Sequence, residues 1–180
     1  MSTRQRILGN ASKYPRNEAQ EILQFIFVSE LLQPGASFWL VSPWISDISI
    51  IREGDFLFPD TLGDMPRSEI RLTEALIGMA NAGTQVRIVT KTGESKNFDD
   101  ALQREKTGVR CLHPQNIEVQ WESDLHAKGI VGDEYSLTGS MNYTYYGINI
   151  NDELLTFSTI PADVGDLRAR FEKDYGAVHG

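Results

Sequence analysis

A chain of 180 residues with 41% hydrophobic and 23% charged residues is long enough for one ordinary globular core and too short for two. Its formal net charge of −8 excludes a protein that grips duplex DNA tightly and alone, because neutralising phosphates dominates such binding. No apolar run approaches the roughly 20 residues of a membrane span, and the basic start Met1–Gly9 lacks the apolar centre of a secretory signal. The expected location is therefore the cytoplasm, with no membrane partner.

Taken in chain order, residues 1–14 read as a polar lead-in without periodicity, leaving 15–180 as the folded domain. A helix is expected from Pro15, with Glu18 and Glu21 early and Ile22, Phe25, Ile26, Leu31 and Leu32 at helical spacing; Pro34-Gly35 ends it. Phe38–Ser42 is a buried strand. Arg52–Ser68 mixes Gly, Pro, Asp and aromatic residues and reads as an irregular loop, a lid or partner surface. Glu69–Ala82 is a helix stopped by Gly83, Gln85–Thr90 a strand, Ser95–Thr107 a polar helix packed through Phe98, Ala101 and Leu102, and Ile117–Trp121 an alternating strand. From His126 the pattern is strand, turn at Gly132-Asp133, strand, turn at Gly139. Glu153–Ser158 is a further apolar run and Asp163–Tyr175 a closing helix. Strands alternating with helices give an α/β fold, a mixed sheet covered by helices on both faces.

Cys111 is the only cysteine, so no intrachain disulfide and no cysteine cluster for zinc exists, and it reads as a small buried apolar residue. The histidines, at 113, 126 and 179, have no metal-ligand spacing. Neither a metal nor another cofactor is expected. Trp39, Trp44 and Trp121 read as packing residues, and Lys91 and Arg87 as solvated charges on their strand. Tyr143, Tyr145 and Tyr146 fit either a stacking surface or a helix packed on the sheet.

The segment that carries chemistry runs from His126 to Glu153. In a strand, side chains two residues apart share a face, so His126 and Lys128 are expected to project together. A neutral imidazole can attack a phosphodiester while a lysine stabilises charge on the non-bridging oxygens. Gly139 permits a tight turn, after which Ser140 and Asn142 offer neutral donors to the same phosphate. Asp133 sits at a Gly-Asp turn, where a carboxylate caps backbone amides, and a structural role is favoured for it.

His126, Lys128 and Asp133, followed by Gly139, Ser140 and Asn142, resemble the HxKxxxxD…GSxN signature of the phospholipase D superfamily. Five residues separate Asp133 from Gly139 where six are commoner, which shortens the hairpin tip. Phe38-Trp-Leu-Val-Ser-Pro-Trp and Ala82–Thr90 resemble the family's early strands more loosely. The resemblance implies a catalytic set of His126, Lys128, Ser140, Asn142 and Glu153, with Asp133 completing the motif. Glu153, eleven residues after Asn142, stands where the family places a carboxylate against the nucleophile's second ring nitrogen.

The superfamily ordinarily uses two such motifs and this chain has one, so the resemblance implies a homodimer sharing one site around its two-fold axis. It also implies a metal-independent phosphodiesterase of the phospholipase-D-like fold. A nuclease acting on DNA or RNA through a phosphohistidine is the favoured reading. The alternatives are a phospholipid phosphodiesterase and a non-catalytic nucleic-acid-binding subunit of a defence complex. The acidic charge, together with similar short proteins of DNA-modification and antiviral defence clusters, suggests an ATPase or translocase partner.

Overall fold

The computed structural model describes residues 4–10, 18–52 and 69–176. The expected loop at Arg52–Ser68 lies, but for Arg52, outside the described residues. Among these described residues nine strands and five α-helices follow in chain order: β1 Gln5–Asn10, α1 Glu18–Leu32, β2 Ser37–Ser42, β3 Ser49–Arg52, β4 Glu69–Arg71, α2 Leu72–Asn81, β5 Gln85–Lys91, α3 Lys96–Thr107, β6 Ile117–Glu122, β7 Gly129–Val131, β8 Ser136–Gly139, α4 Tyr145–Asn149, β9 Glu153–Ser158 and α5 Pro161–Tyr175. Seven strands form one mixed sheet in the order β1-β9-β8-β7-β2-β5-β6. β2, β5 and β6 are parallel, and the rest pair antiparallel. β3 and β4 make a separate two-stranded ribbon.

Alternation along the strands divides two cores. Phe38 and Leu40 of β2, Val86 and Ile88 of β5, and Ile130, Leu137 and Leu155 point to the side of α1, α2 and α3, against Leu23, Phe27, Leu76, Phe98 and Leu102. Trp39, Val41, Val89 and Val131 point to the other side, against Val164 and Phe171 of α5. This is the helix-covered mixed sheet expected from the sequence. Trp39 is buried against Phe171, ring centroids 6.1 Å apart, and Arg87 lies 5.1 Å over the Trp39 ring. Arg87 is thus a packed mid-strand residue, 3.8 Å from Glu118.

Three stretches differ from the sequence expectation. Gln5–Asn10, read as lead-in, is an edge strand paired along its length with β9, from Gln5↔Ser158 to Asn10↔Glu153. Its backbone supplies the pairing, while Leu8 alone among its apolar side chains is buried and Ile7 is 69% exposed, so no alternation signals it. Glu69–Arg71, read as helix, pairs with β3; α2 begins only at Leu72, where Glu74 reaches back to the Arg71 amide at 3.1 Å. Within α1, Phe25 and Leu32 are exposed, whereas Leu23 and Phe27 join Ile26 and Leu31 in the core. No helix among the described residues is long and apolar enough to cross a membrane.

Candidate functional site at one end of the sheet

Strand register collects the candidate residues. Val41 of β2 faces Gly129 of β7, Gly129 faces Thr138 of β8, and Gly139 faces Leu155 of β9. Continued by one residue, Ser42, Lys128 and Gly139 fall in one row across the sheet, with Thr90 of β5 beside Ser42 and Trp121 of β6 beside Thr90. This row lies at the carboxyl ends of the three parallel strands, the end of an open α/β sheet where crevices for ligands form. Ser140, Asn142 and Glu153 adjoin it, and His126 precedes it by two residues.

β7 begins at Gly129, so His126 and Lys128 belong to the extended lead into the strand and not to the strand itself. Lys128 donates from Nζ to the His126 carbonyl at 3.0 Å, which folds its ammonium toward its neighbour. The imidazole is 80% exposed and lies 3.8 Å from Asp124, itself open to solvent. Among the described residues nothing encloses this ring.

The second half of the motif is a connected turn. Gly139 is required by close approach: a Cβ there would stand 2.1 Å from the Leu154 carbonyl oxygen. That contact lets the Ser140 amide bond the same oxygen at 3.1 Å, while the Ser140 hydroxyl accepts the Leu154 N–H at 3.1 Å. The hydroxyl donates its hydrogen to Glu153, whose other oxygen accepts from the Asn151 side chain at 3.2 Å. Among the described residues Glu153 therefore bonds Ser140 and Asn151, not His126. The Asn142 amide oxygen meets the Ser42 hydroxyl at 3.2 Å; that hydroxyl shares its one hydrogen with the Trp44 carbonyl at 2.9 Å. A Cβ on Gly147 would come within 2.2 Å of the Asn142 carbonyl oxygen, so the small residue lets α4 close onto the turn. Tyr143 is buried and pairs with Ile45 as an isolated bridge, while burial pushes its phenol far above the ordinary range.

Asp133 stands apart from this group. It follows β7, whereas Lys128 precedes it, so the two sit at opposite ends of the strand. Its carboxylate accepts the backbone amides of Ala36 at 2.5 Å and Ser37 at 3.3 Å, and Arg168 of α5 lies 3.3 Å away. Arg168 also bonds the Gly132 carbonyl at 2.6 Å. Asp133 thus ties the β7–β8 hairpin to the start of β2 and to α5. Beside it, buried Glu30 accepts from the Gly35 amide at 3.0 Å and the Tyr135 hydroxyl at 2.8 Å. Burial raises the Glu30 carboxyl above its usual value, and raises the Tyr135 phenol well above its own.

Sequence reasoning missed Ser42, which steadies Asn142 from a hundred residues away; the Ser-Pro-Trp step at the end of β2 was the available signal. It also missed the buried pair Thr90 and Ser95, whose hydroxyls lie 2.7 Å apart and whose Ser95 oxygen accepts the Ile45 amide at 2.9 Å, holding the loop after β2. Trp44 and Trp121 are 39% and 38% exposed at the same sheet end, and the Trp44 indole donates to Glu94 at 2.9 Å. No group of three or more His, Cys, Asp or Glu side chains among the described residues is placed to hold a metal ion.

Comparison with known proteins agrees with this fold. The profile of the family described as cardiolipin synthase, PLD-like domain, matches residues 61–175. Among solved structures, NucT from Helicobacter pylori superposes with a TM-score of 0.59 at 12% identity, covering 96% of this chain and 95% of that one. Nuc from Salmonella typhimurium, described as a phospholipase D family member, gives 0.54 at 16% identity, covering 94% and 93%. A polyphosphate kinase from Porphyromonas gingivalis gives 0.61 at 11% identity over 94% of this chain but 26% of its own. No curated protein matches in sequence.

Proposed function

The chain belongs to the phospholipase D superfamily, as an enzyme of that type, and from that premise we propose that it is a nuclease working through a covalent phosphohistidine in a site shared by two copies. The observation that carries this reading is the exposed His126 imidazole at the sheet end that gathers Lys128, Ser140, Asn142 and Glu153. A nucleophile that is 80% exposed in one chain lacks the enclosure that makes charge stabilisation strong. A second copy placed across a two-fold axis supplies both the enclosure and a second imidazole.

In the proposed reaction a neutral ring nitrogen of His126 attacks phosphorus, and a P–N bond forms as the P–O bond to the leaving strand breaks. The imidazolium of His126 of the partner subunit gives its proton to the departing oxygen. That ring, now neutral, takes a proton from water, whose oxygen attacks phosphorus and breaks the P–N bond, returning both histidines to their starting forms. Lys128 and the Asn142 amide stabilise the non-bridging oxygens. Ser140 joins them by turning its hydrogen from Glu153 to the phosphate, leaving the carboxylate free to balance charge on the imidazolium. Asp133 takes no part. The net charge of −8 fits a protein whose hold on nucleic acid comes from a larger assembly, with an ATPase or translocase as the proposed companion.

The test uses end-labelled single- and double-stranded DNA and RNA in excess EDTA, with wild type and His126→Ala. Expected are cleavage by wild type only, an acid-labile phosphohistidine adduct at His126 on rapid quench, and a dimer by sedimentation. Headgroup release from phospholipid vesicles with nucleic acids left intact would move the substrate to lipid. A catalytically active monomer would refute the shared site.

A further inference from the structure

A cavity of about 260 Å³ opens beside α4, lined in part by Asp47, Ile48, Ser49, Arg71, Tyr145 and Ile148. None of these residues belongs to the motif. Tyr145 of the cavity lining follows Asn142 by three residues, so the two residues lie within about 11 Å of each other along the chain. The loop carrying Asp47 is fastened to the same segment by the Ser46 amide, which bonds the Tyr143 carbonyl at 2.9 Å.

The lining has a defined chemistry. Asp47 is held by the Thr73 amide at 3.1 Å and the Thr73 hydroxyl at 3.0 Å, and it pairs with Arg71 at 2.8 Å. Arg71 also pairs with Glu69 at 3.0 Å. One guanidinium thus faces two carboxylates, so the cavity has no positive charge to spare and disfavours a phosphate. Ser49 adds a buried hydroxyl with no partner among the described residues, an arrangement that costs stability unless a bound molecule completes it. Tyr145 contributes an aromatic ring that is 55% exposed, and Ile148 a buried apolar wall. A ring to stack on, an apolar wall, and a donor and acceptor at the margin suit a flat, uncharged heteroaromatic group with polar edges. The volume lies just under the roughly 300–1,000 Å³ of pockets for drug-sized ligands.

We propose that this cavity is a nucleobase subsite, receiving the base of a nucleotide next to the phosphate attacked by His126. The assignment rests on the nuclease reading and sharpens it: the substrate must present an unstacked base, in a single strand or flipped from a duplex.

The experiment measures kcat/KM on two single-stranded oligonucleotides of one length, one carrying bases throughout and one abasic around the cleaved bond. Wild type, Tyr145→Ala, Tyr145→Phe and the occluding Ser49→Leu are compared, each checked for folding by thermal denaturation. Wild type is expected to favour the base-bearing strand. Tyr145→Ala should lose about 5- to 150-fold on that strand, the range for one base stacked on an aromatic side chain, and nothing on the abasic strand. Tyr145→Phe should restore the preference, and Ser49→Leu should abolish it. Equal wild-type rates on both strands, or a loss in Tyr145→Ala common to both, would overturn the subsite while the nuclease reading stands. Failure of wild type to cut either strand would sink the nuclease reading and the subsite with it.

Discussion

Removing the Asp133 carboxylate tests whether a residue of the motif serves the fold or the reaction. In Asp133→Ala the amides of Ala36 and Ser37 lose their acceptor, and Arg168 loses its counter-ion. Hydrogen bonds to a charged group contribute about 1.5–3 kcal/mol each when well formed. Only the Ala36 bond is short, at 2.5 Å, against 3.3 Å for Ser37, and the side chain is 35% exposed, so water replaces part of what is lost. The Arg168 pair is partly exposed and adds under about 1 kcal/mol. Against this, removing Asp133 relieves its repulsion of Glu30. The balance is a loss of about 2–3 kcal/mol, a fall in Tm of roughly 5–10 °C for a domain of this size. Asp133→Asn keeps an acceptor and should lose about half as much. Urea denaturation gives the stability, and turnover per folded molecule, measured well below the variant's Tm, gives the activity. Turnover is expected to stay within about twofold of wild type, as Asp133 and Lys128 occupy opposite ends of β7. A turnover reduced a hundredfold at unchanged stability would show the placement to be wrong.

Two further outcomes follow from the same pair of sheet ends. The Glu30 carboxyl is raised by burial above its ordinary value of 4.5, so the folded protein holds that proton longer than the unfolded chain. Its contribution to stability is therefore fully present below pH 4.5 and declines as pH rises through the folded value; the stability of wild type relative to Glu30→Gln, measured by denaturant titration across that window, should fall with rising pH. Gly139→Ala would force a Cβ to within 2.1 Å of the Leu154 carbonyl and 2.9 Å of the Leu155 side chain. It should lose about 3 kcal/mol or more and weaken amide-exchange protection at Ser140 and Leu154.

Much of the architecture was legible because its periods are strong: β2, β5 and β6 are short runs with apolar residues on both sheet faces or in alternation. The turn at Gly139 was legible because a glycine followed by small polar residues is a local signal, whereas Glu153, which the resemblance placed against His126, meets Ser140 instead. What escaped has a common physical cause. β1 is held by backbone pairing at an edge and buries Leu8 almost alone, leaving no pattern to read. Glu69–Arg71 has helix-compatible residues, and tertiary pairing with Ser49–Arg52 overrides them. Phe25 fits the helical stripe but packs edge-on to Phe157, centroids 6.4 Å apart, at the rim of the core. Ser42 and the cavity of Asp47, Ser49, Arg71 and Tyr145 join segments far apart in sequence, which no spacing rule connects. Lys128 shows the limit of period-two reasoning: it does approach His126, through a backbone carbonyl and not through a shared strand face.

The carboxylates of Glu30 and Asp133 gather the Gly35, Ala36 and Ser37 amides at one pole of the sheet, and the row from Trp121 to Gly139 occupies the other. Cohesion and the proposed reactivity thereby lie at separate ends of this molecule. A lineage that lost the knot around Gly35 could restore itself by tighter packing anywhere in the domain, whereas in the proposed reaction nothing remote substitutes for the Lys128 ammonium on the phosphate. Natural variants at the first pole should therefore be recognised by how much protein a cell retains, and variants at the second by what each surviving molecule can do.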